Sequence, residues 1–172
     1  GLMPAYRDGD RGAFGVKAIC VFPGNPSQGK DAHQGAVLLF SQDTGEMLAL
    51  MNASDITATR TAAVSAVATR LLAREDAQEL GIIGAGVQAR THLRALACVR
   101  SIKRARVAAR NFDHAQRLAS EMHSQIPFPV EPVKTNEEAV RGANLIVTAT
   151  SSMEPVIKKD WVAPGAHINA IG

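Results

Sequence analysis

One stretch constrains this chain more than any other: Glu79-Leu80-Gly81-Ile82-Ile83-Gly84-Ala85-Gly86-Val87-Gln88-Ala89. A short apolar run leads into a glycine turn. A helical stripe follows, with Ala89, Leu93, Leu96 and Ala97 at i, i+4, i+7 and i+8. The spacing Gly84-x-Gly86-x-x-Ala89 is a dinucleotide-binding fingerprint of the G-x-G-x-x-G/A kind, set between the strand and the helix it requires. Gly84 permits the tight turn, Gly86 lets backbone approach a pyrophosphate, and Ala89 lets the helix pack closely on the strand. The phosphates would meet a helix N-terminus, where free N–H groups and the macrodipole favour negative charge. Without a ligand the same residues would still form a tight strand-to-helix turn.

Beyond this turn, strand and helix patterns alternate. Strands are expected at Arg106 to Ala109, Phe128 to Val133, Asn144 to Ala149 and His167 to Ile171. A helix is expected from His114 to His123, with Asp113 as its N-cap. Another starts at Thr135-Asn136-Glu137-Glu138, which reads as a capping box. Alternation of this kind implies a parallel sheet covered on both faces, with ligands outside the carboxyl ends of its strands. Those ends are Gly84 to Gln88, Arg110-Asn111, Thr150-Ser151 and Gly172.

Before the turn the pattern differs. Three strands, Val16 to Phe22, Gly35 to Phe40 and Met47 to Met51, are expected to form a mostly antiparallel sheet, the last two joined through Asp43-Thr44-Gly45. Ser54-Asp55 opens a helix to about Arg74 with an apolar stripe of Val64, Val67, Ala68, Leu71 and Leu72. The fold class is therefore α/β: a Rossmann-type doubly wound parallel sheet plus part of a second α/β domain with a mostly antiparallel sheet. The polar break Glu75-Asp76-Ala77-Gln78 divides residues 1–75 from 76–172.

Three residues outside the glycine turn invite a chemical reading. Lys17 shares a strand face with Ile19 and Val21, so it is either a lysine that snorkels to solvent or a cation placed for a carboxylate. Arg60 lies near a helix start, where the dipole slightly disfavours its charge; it is either a solvated face residue or one that serves an anion. At the end of the second parallel strand NAD-binding domains carry an acidic residue for the ribose 2′-OH. Here the chain reads Ala108-Ala109-Arg110-Asn111, and Arg110 can stack on adenine and pair with a 2′-phosphate, which favours NADP over NAD.

Composition excludes several classes. A net charge of +3 spread along the chain gives no basic stripe for nucleic acid, and one Tyr and one Trp offer few platforms for base stacking. No apolar run reaches membrane-spanning length. Cys20 and Cys98 are isolated, so neither a metal site nor a disulfide framework is expected; they read as buried small hydrophobes in a reducing, cytoplasmic setting. The chain starts Gly1-Leu2-Met3-Pro4, which is no signal peptide, and stops on an apolar strand at Gly172. It reads as a piece of a longer protein.

Phe22-Pro23-Gly24-Asn25-Pro26, His33-Gln34-Gly35-x-Val37-Leu38-Leu39-Phe40, Thr44-Gly45, Met51 and Thr57-x-x-Arg60-Thr61-Ala62-Ala63 resemble the ornithine cyclodeaminase/mu-crystallin family. So do the glycine turn itself and His167-Ile168-Asn169-Ala170-Ile171-Gly172. The resemblance implies a Rossmann domain for a nicotinamide cofactor, a second domain for substrate and homodimer contacts, and hydride transfer between nicotinamide and the α-carbon of a small amino or imino acid. It also admits ornithine cyclodeaminase, a lyase with no net use of cofactor, and a non-catalytic NADPH- or ligand-binding protein. By the same resemblance Lys17 binds the substrate carboxylate, and Arg60 reaches that carboxylate and the cofactor phosphates. Ala85, Val87, Gln88, Arg110 and Asn111 contact the cofactor, while Thr150, Ser151 and Ile171 flank its nicotinamide half. The family's catalytic aspartate lies beyond the last residue of this chain, and its upstream arginine and acidic residue have no counterpart before Gly1.

Overall fold

In the computed structural model the described residues are Gly1 to Ile171, apart from the side chain of Pro26; Gly172 lies outside them. The chain divides into two compact units, Gly1–Thr59 and Arg60–Gly172. The division falls inside a helix, earlier than the polar break at Glu75–Gln78.

The first unit is built on an antiparallel sheet of order β1-β2-β3-β4, formed by Leu2–Arg7, Ala13–Val21, His33–Ser41 and Met47–Asn52. The strand Leu2–Arg7 carries no alternating apolar signal and is a fourth strand that the sequence pattern hides; it pairs with β2 along its whole length. The β3–β4 hairpin closes as expected: Gly45 takes φ +72° and donates its N–H to the Ser41 carbonyl at 3.1 Å. Helix α1 runs Ala53–Leu72, and Asn52, not Ser54, caps it by accepting the Ser54 N–H at 2.7 Å.

Helix α1 presents the opposite face from the one its hydrophobicity suggests. Val64, Val67, Leu71 and Leu72 are exposed, whereas Thr57, Ala58, Thr61, Ala62, Ser65, Ala66 and Thr69 are buried. The hydroxyls on this face find partners: Thr69 Oγ1 accepts from Asn169 Nδ2 at 2.9 Å. Polar satisfaction here outweighs apolar periodicity.

The second unit is a parallel sheet of order β7-β6-β5-β8-β9, made of Val130–Val133, Arg104–Ala108, Glu79–Ile83, Leu145–Thr148 and His167–Ala170. In chain order this is 3-2-1-4-5, the arrangement whose order reverses beside the first strand. Helices α2 (Val87–Ala97), α3 (Phe112–Met122) and α4 (Asn136–Val140) connect the strands. Side chains alternate along β5 as a strand requires. Leu80 and Ile82 join Leu93, Leu96, Leu118 and Val107 in one core, while Ile83 joins Val140, Ala143 and Ile146 in a second. At about 1.5–3 kcal/mol for each large apolar side chain removed from water, these two cores hold the sheet in its frame. Thr135 forms the expected capping box with Glu138. The N-cap of α3, however, is Asn111, whose Oδ1 accepts from the Asp113 N–H at 2.9 Å. Both cysteines are exposed rather than buried, and neither is in a disulfide.

Candidate functional site

Along the carboxyl edge of the parallel sheet, the ends of β5 and β8 meet at the point where strand order reverses. The chain leaves β5 at Gly84, which has φ +108° and donates its N–H to the Ala108 carbonyl at 2.8 Å. A Cβ there would stand 2.1 Å from the Ala149 carbonyl oxygen, so only glycine lets this turn pass so close to the exit of β8. Ala149 in turn donates to the Ile83 carbonyl at 2.7 Å.

Gly86 is the N-cap of α2, with φ −89° and no side-chain cap on the first-turn N–H groups. A Cβ on Gly86 would meet nothing within 4 Å. Glycine is not needed here for protein packing, and the open space lies over an uncapped helix N-terminus, which suits a phosphate. Beside it, Gln88 Oε1 is buried without a hydrogen-bond partner; it is an acceptor suited to a hydroxyl or amide donor of a dinucleotide. Val87 is exposed and Ala85 half-buried at the same turn. Free donors, an open approach and an unpaired acceptor together fit a dinucleotide.

The other proposed contacts line the same edge. Arg110 is exposed just past β6 and makes no hydrogen bond or ion pair among the described residues, so its guanidinium is available. Asn111 is occupied in capping α3. Thr150 and Ser151 follow β8, and Thr150 Oγ1 accepts the Ser152 N–H at 3.2 Å. Ile171 continues β9, donating its N–H to the Thr148 carbonyl at 3.1 Å and packing on the larger core. The glycine turn, Arg110-Asn111, Thr150-Ser151 and Ile171 thus lie at the ends of four neighbouring strands.

Lys17 lies in the first unit. It is half-buried on β2, and its Nζ donates to Thr57 Oγ1 at 3.2 Å. That bond holds the ammonium in a defined place while leaving further donors free. Arg60, the first residue of the second unit, is exposed on α1. Among the described residues no cluster of His, Cys, Asp and Glu could hold a metal, and no helix is long and apolar enough to cross a membrane.

Sequence reasoning missed His92. On pattern it is a polar interruption in the α2 stripe, yet it is fully buried beside Leu93. Burial pushes its imidazole below the ordinary pKa, against a smaller opposite effect of its bond to the Gln88 carbonyl. Its position three residues after Ala89, on the stripe itself, was the available signal.

A sequence model of the ornithine cyclodeaminase/mu-crystallin family matches residues 1–172. The ketimine reductase mu-crystallin of Mus musculus is 40% identical over 172 residues, which are 100% of this chain and 53% of that protein. The chain therefore spans about half the length of the curated relatives it matches. Among solved structures, Δ1-pyrroline-2-carboxylate reductase of Thermococcus litoralis, in complex with NADH and L-proline, superimposes with a TM-score of 0.89 at 36% identity. That match covers 99% of this chain and 57% of the other. An archaeal alanine dehydrogenase dimer with bound NAD gives a TM-score of 0.82 at 32% identity, covering 96% and 54%.

Proposed function

The chain belongs to the ornithine cyclodeaminase/mu-crystallin family, and on that premise we propose that the whole protein is a nicotinamide-dependent oxidoreductase acting on a small α-amino or α-imino acid. The observation that carries this is the glycine turn: an uncapped helix N-terminus, an open Gly86 and an unpaired Gln88 Oε1 at the reversal of strand order. Relatives in sequence include a ketimine reductase, and a pyrroline-2-carboxylate reductase solved with NADH shares the fold.

A bound nicotinamide would accept or deliver hydride at the α-carbon. The chain's own residues bind and orient. First-turn N–H groups of α2 hold the pyrophosphate, and Thr150, Ser151 and Ile171 border the nicotinamide half. Lys17, steadied by Thr57, anchors the substrate carboxylate, and Arg60 offers a positive charge to an anion. A homodimer is in keeping with the alanine dehydrogenase neighbour, and a cytoplasmic setting is part of the same proposal.

We assign the cofactor preference to NADP. Arg110 is exposed and uncommitted at the end of β6, and no acidic residue stands there to receive a ribose 2′-OH. Titrating the full chain with NADPH and NADH tests this: Arg110→Ala should weaken NADPH about tenfold or more and NADH little. Equal NADPH affinity in wild type and variant would refute the assignment. Lys17→Ala should weaken carboxylate binding by about 1.5–3 kcal/mol, and an unchanged KM would refute its role. Incubation with NADPH and cyclic ketimines, with pyruvate plus ammonia, and with ornithine separates the reactions. Oxidation of NADPH supports the reductase; proline formed without net cofactor change would replace it by the cyclodeaminase; binding without turnover would leave a ligand-binding protein.

A further inference from the structure

The fingerprint helix carries a buried histidine that cofactor contact alone does not use. His92 has 0% exposure and both ring nitrogens engaged. Nδ1 lies 2.7 Å from the Gln88 carbonyl oxygen, and Nε2 lies 2.9 Å from Ser65 Oγ on α1. A carbonyl can only accept, so Nδ1 carries the proton, and Nε2 of the neutral ring accepts from the Ser65 hydroxyl. An apolar side chain would fill this space without needing two partners, so the ring's presence calls for a reason.

The Gln88 carbonyl supplies one. It belongs to the same amide as the Ala89 N–H. The first bond of the helix ladder runs from Arg90 N–H to the Gly86 carbonyl at 3.2 Å, so Ala89 N–H has no partner within α2. Ala89 N–H is thus one of the unpaired first-turn donors of the fingerprint helix, on a residue with no exposed surface. The single Thr91 hydroxyl proton is shared between the Val87 and Gln88 carbonyls, at 3.2 and 3.1 Å. Donors on a carbonyl polarise its amide and make the attached N–H a stronger donor.

We propose that Ser65 and His92 are positioning residues for the dinucleotide. Ser65 sets the tautomer of the ring, and the ring clamps the Gln88 carbonyl, which fixes the first turn of α2 at the cofactor site and polarises the Gln88–Ala89 amide within it. The inference rests on the reading of the glycine turn as a cofactor site.

The test uses the full chain, with NADPH and NADH titrated separately by fluorescence, and ring-nitrogen NMR of the wild type. Asn at position 92 can reproduce the donor at Nδ1, and Gln the contact at Nε2. His92→Asn should therefore stay within about twofold of wild type, while His92→Gln and Ser65→Ala weaken the preferred cofactor about fivefold or more. KM for the carboxylate substrate should not move. NMR of the uncomplexed wild type should show Nδ1 protonated and Nε2 bare, a readout that needs no folded variant. The reverse tautomer overturns the proposal, and so does unaltered binding by folded Ser65→Ala and His92→Gln. Binding of neither cofactor by wild type would remove the cofactor reading itself, and this inference with it.

Discussion

At pH 7 the imidazole of His92 is neutral because burial disfavours its charge more than the Gln88 carbonyl favours it. Its folded-state pKa lies below the ordinary 6.5, so between the two values the unfolded chain binds a proton that the folded chain does not. The stability this contributes is complete above about pH 6.5 and declines as pH falls through that value. The melting temperature of wild type should therefore drop more steeply than that of His92→Gln between about pH 7 and pH 5.5. Parallel curves would disprove it. Glu121 and Glu138 are held below the usual carboxylate range, chiefly by Arg90 and by the Thr135 N–H respectively, and they act in a lower window. At this scale the sequence was legible wherever a residue type carries its own geometry, as Gly84 and Gly86 do. It was silent on His92, because the partner that justifies a buried imidazole, Ser65, is 27 residues away.

The glycine turn separates two kinds of sensitivity within one element. Gly84→Ala would force φ +108° on a side chain that also meets the Ala149 carbonyl. It should cost at least about 2 kcal/mol of stability, read by denaturant melts. Gly86→Ala enters open space at φ −89°, so stability should change by less than about 0.5 kcal/mol while dinucleotide affinity falls. Equal melts for the two variants would refute the distinction. The end of α1 depends on a neighbour: Arg100 donates to the carbonyls of Thr69, Arg70, Ala73 and Arg74, binding the last turn through one guanidinium. The elements of the parallel sheet were readable because buried strands and amphipathic helices carry strong periodic signals. Leu2–Arg7 was not, since all six of its residues are exposed and nothing apolar alternates along it.

Over the whole molecule, the strand-rich first unit and the parallel-sheet second unit follow the expected change of pattern. The division of the chain does not follow the polar break. Contacts made by buried hydroxyls tie α1 residues from Arg60 onward to α2 and β9, and composition alone cannot register such ties. Exposed apolar residues occur in both units, among them Leu50, Val64, Leu71 and Leu72. In the chain of 172 residues, Leu71→Lys should change stability by less than about 0.5 kcal/mol, because the side chain is 71% exposed. A larger loss on chemical denaturation would mean that this face is covered in solution.

The inverted faces of α1 bear on any attempt to engineer it. A common recipe for stiffening a helix replaces weak helix formers with alanine, and Thr61, Ser65 and Thr69 would be the first positions chosen. Each replacement would gain at most about 0.7 kcal/mol of intrinsic propensity. At Ser65 it would strand a buried ring nitrogen, and at Thr69 the Asn169 amide, at about 1–3 kcal/mol each. A library scored on helix propensity would therefore improve the helix as a peptide while loosening the protein around it.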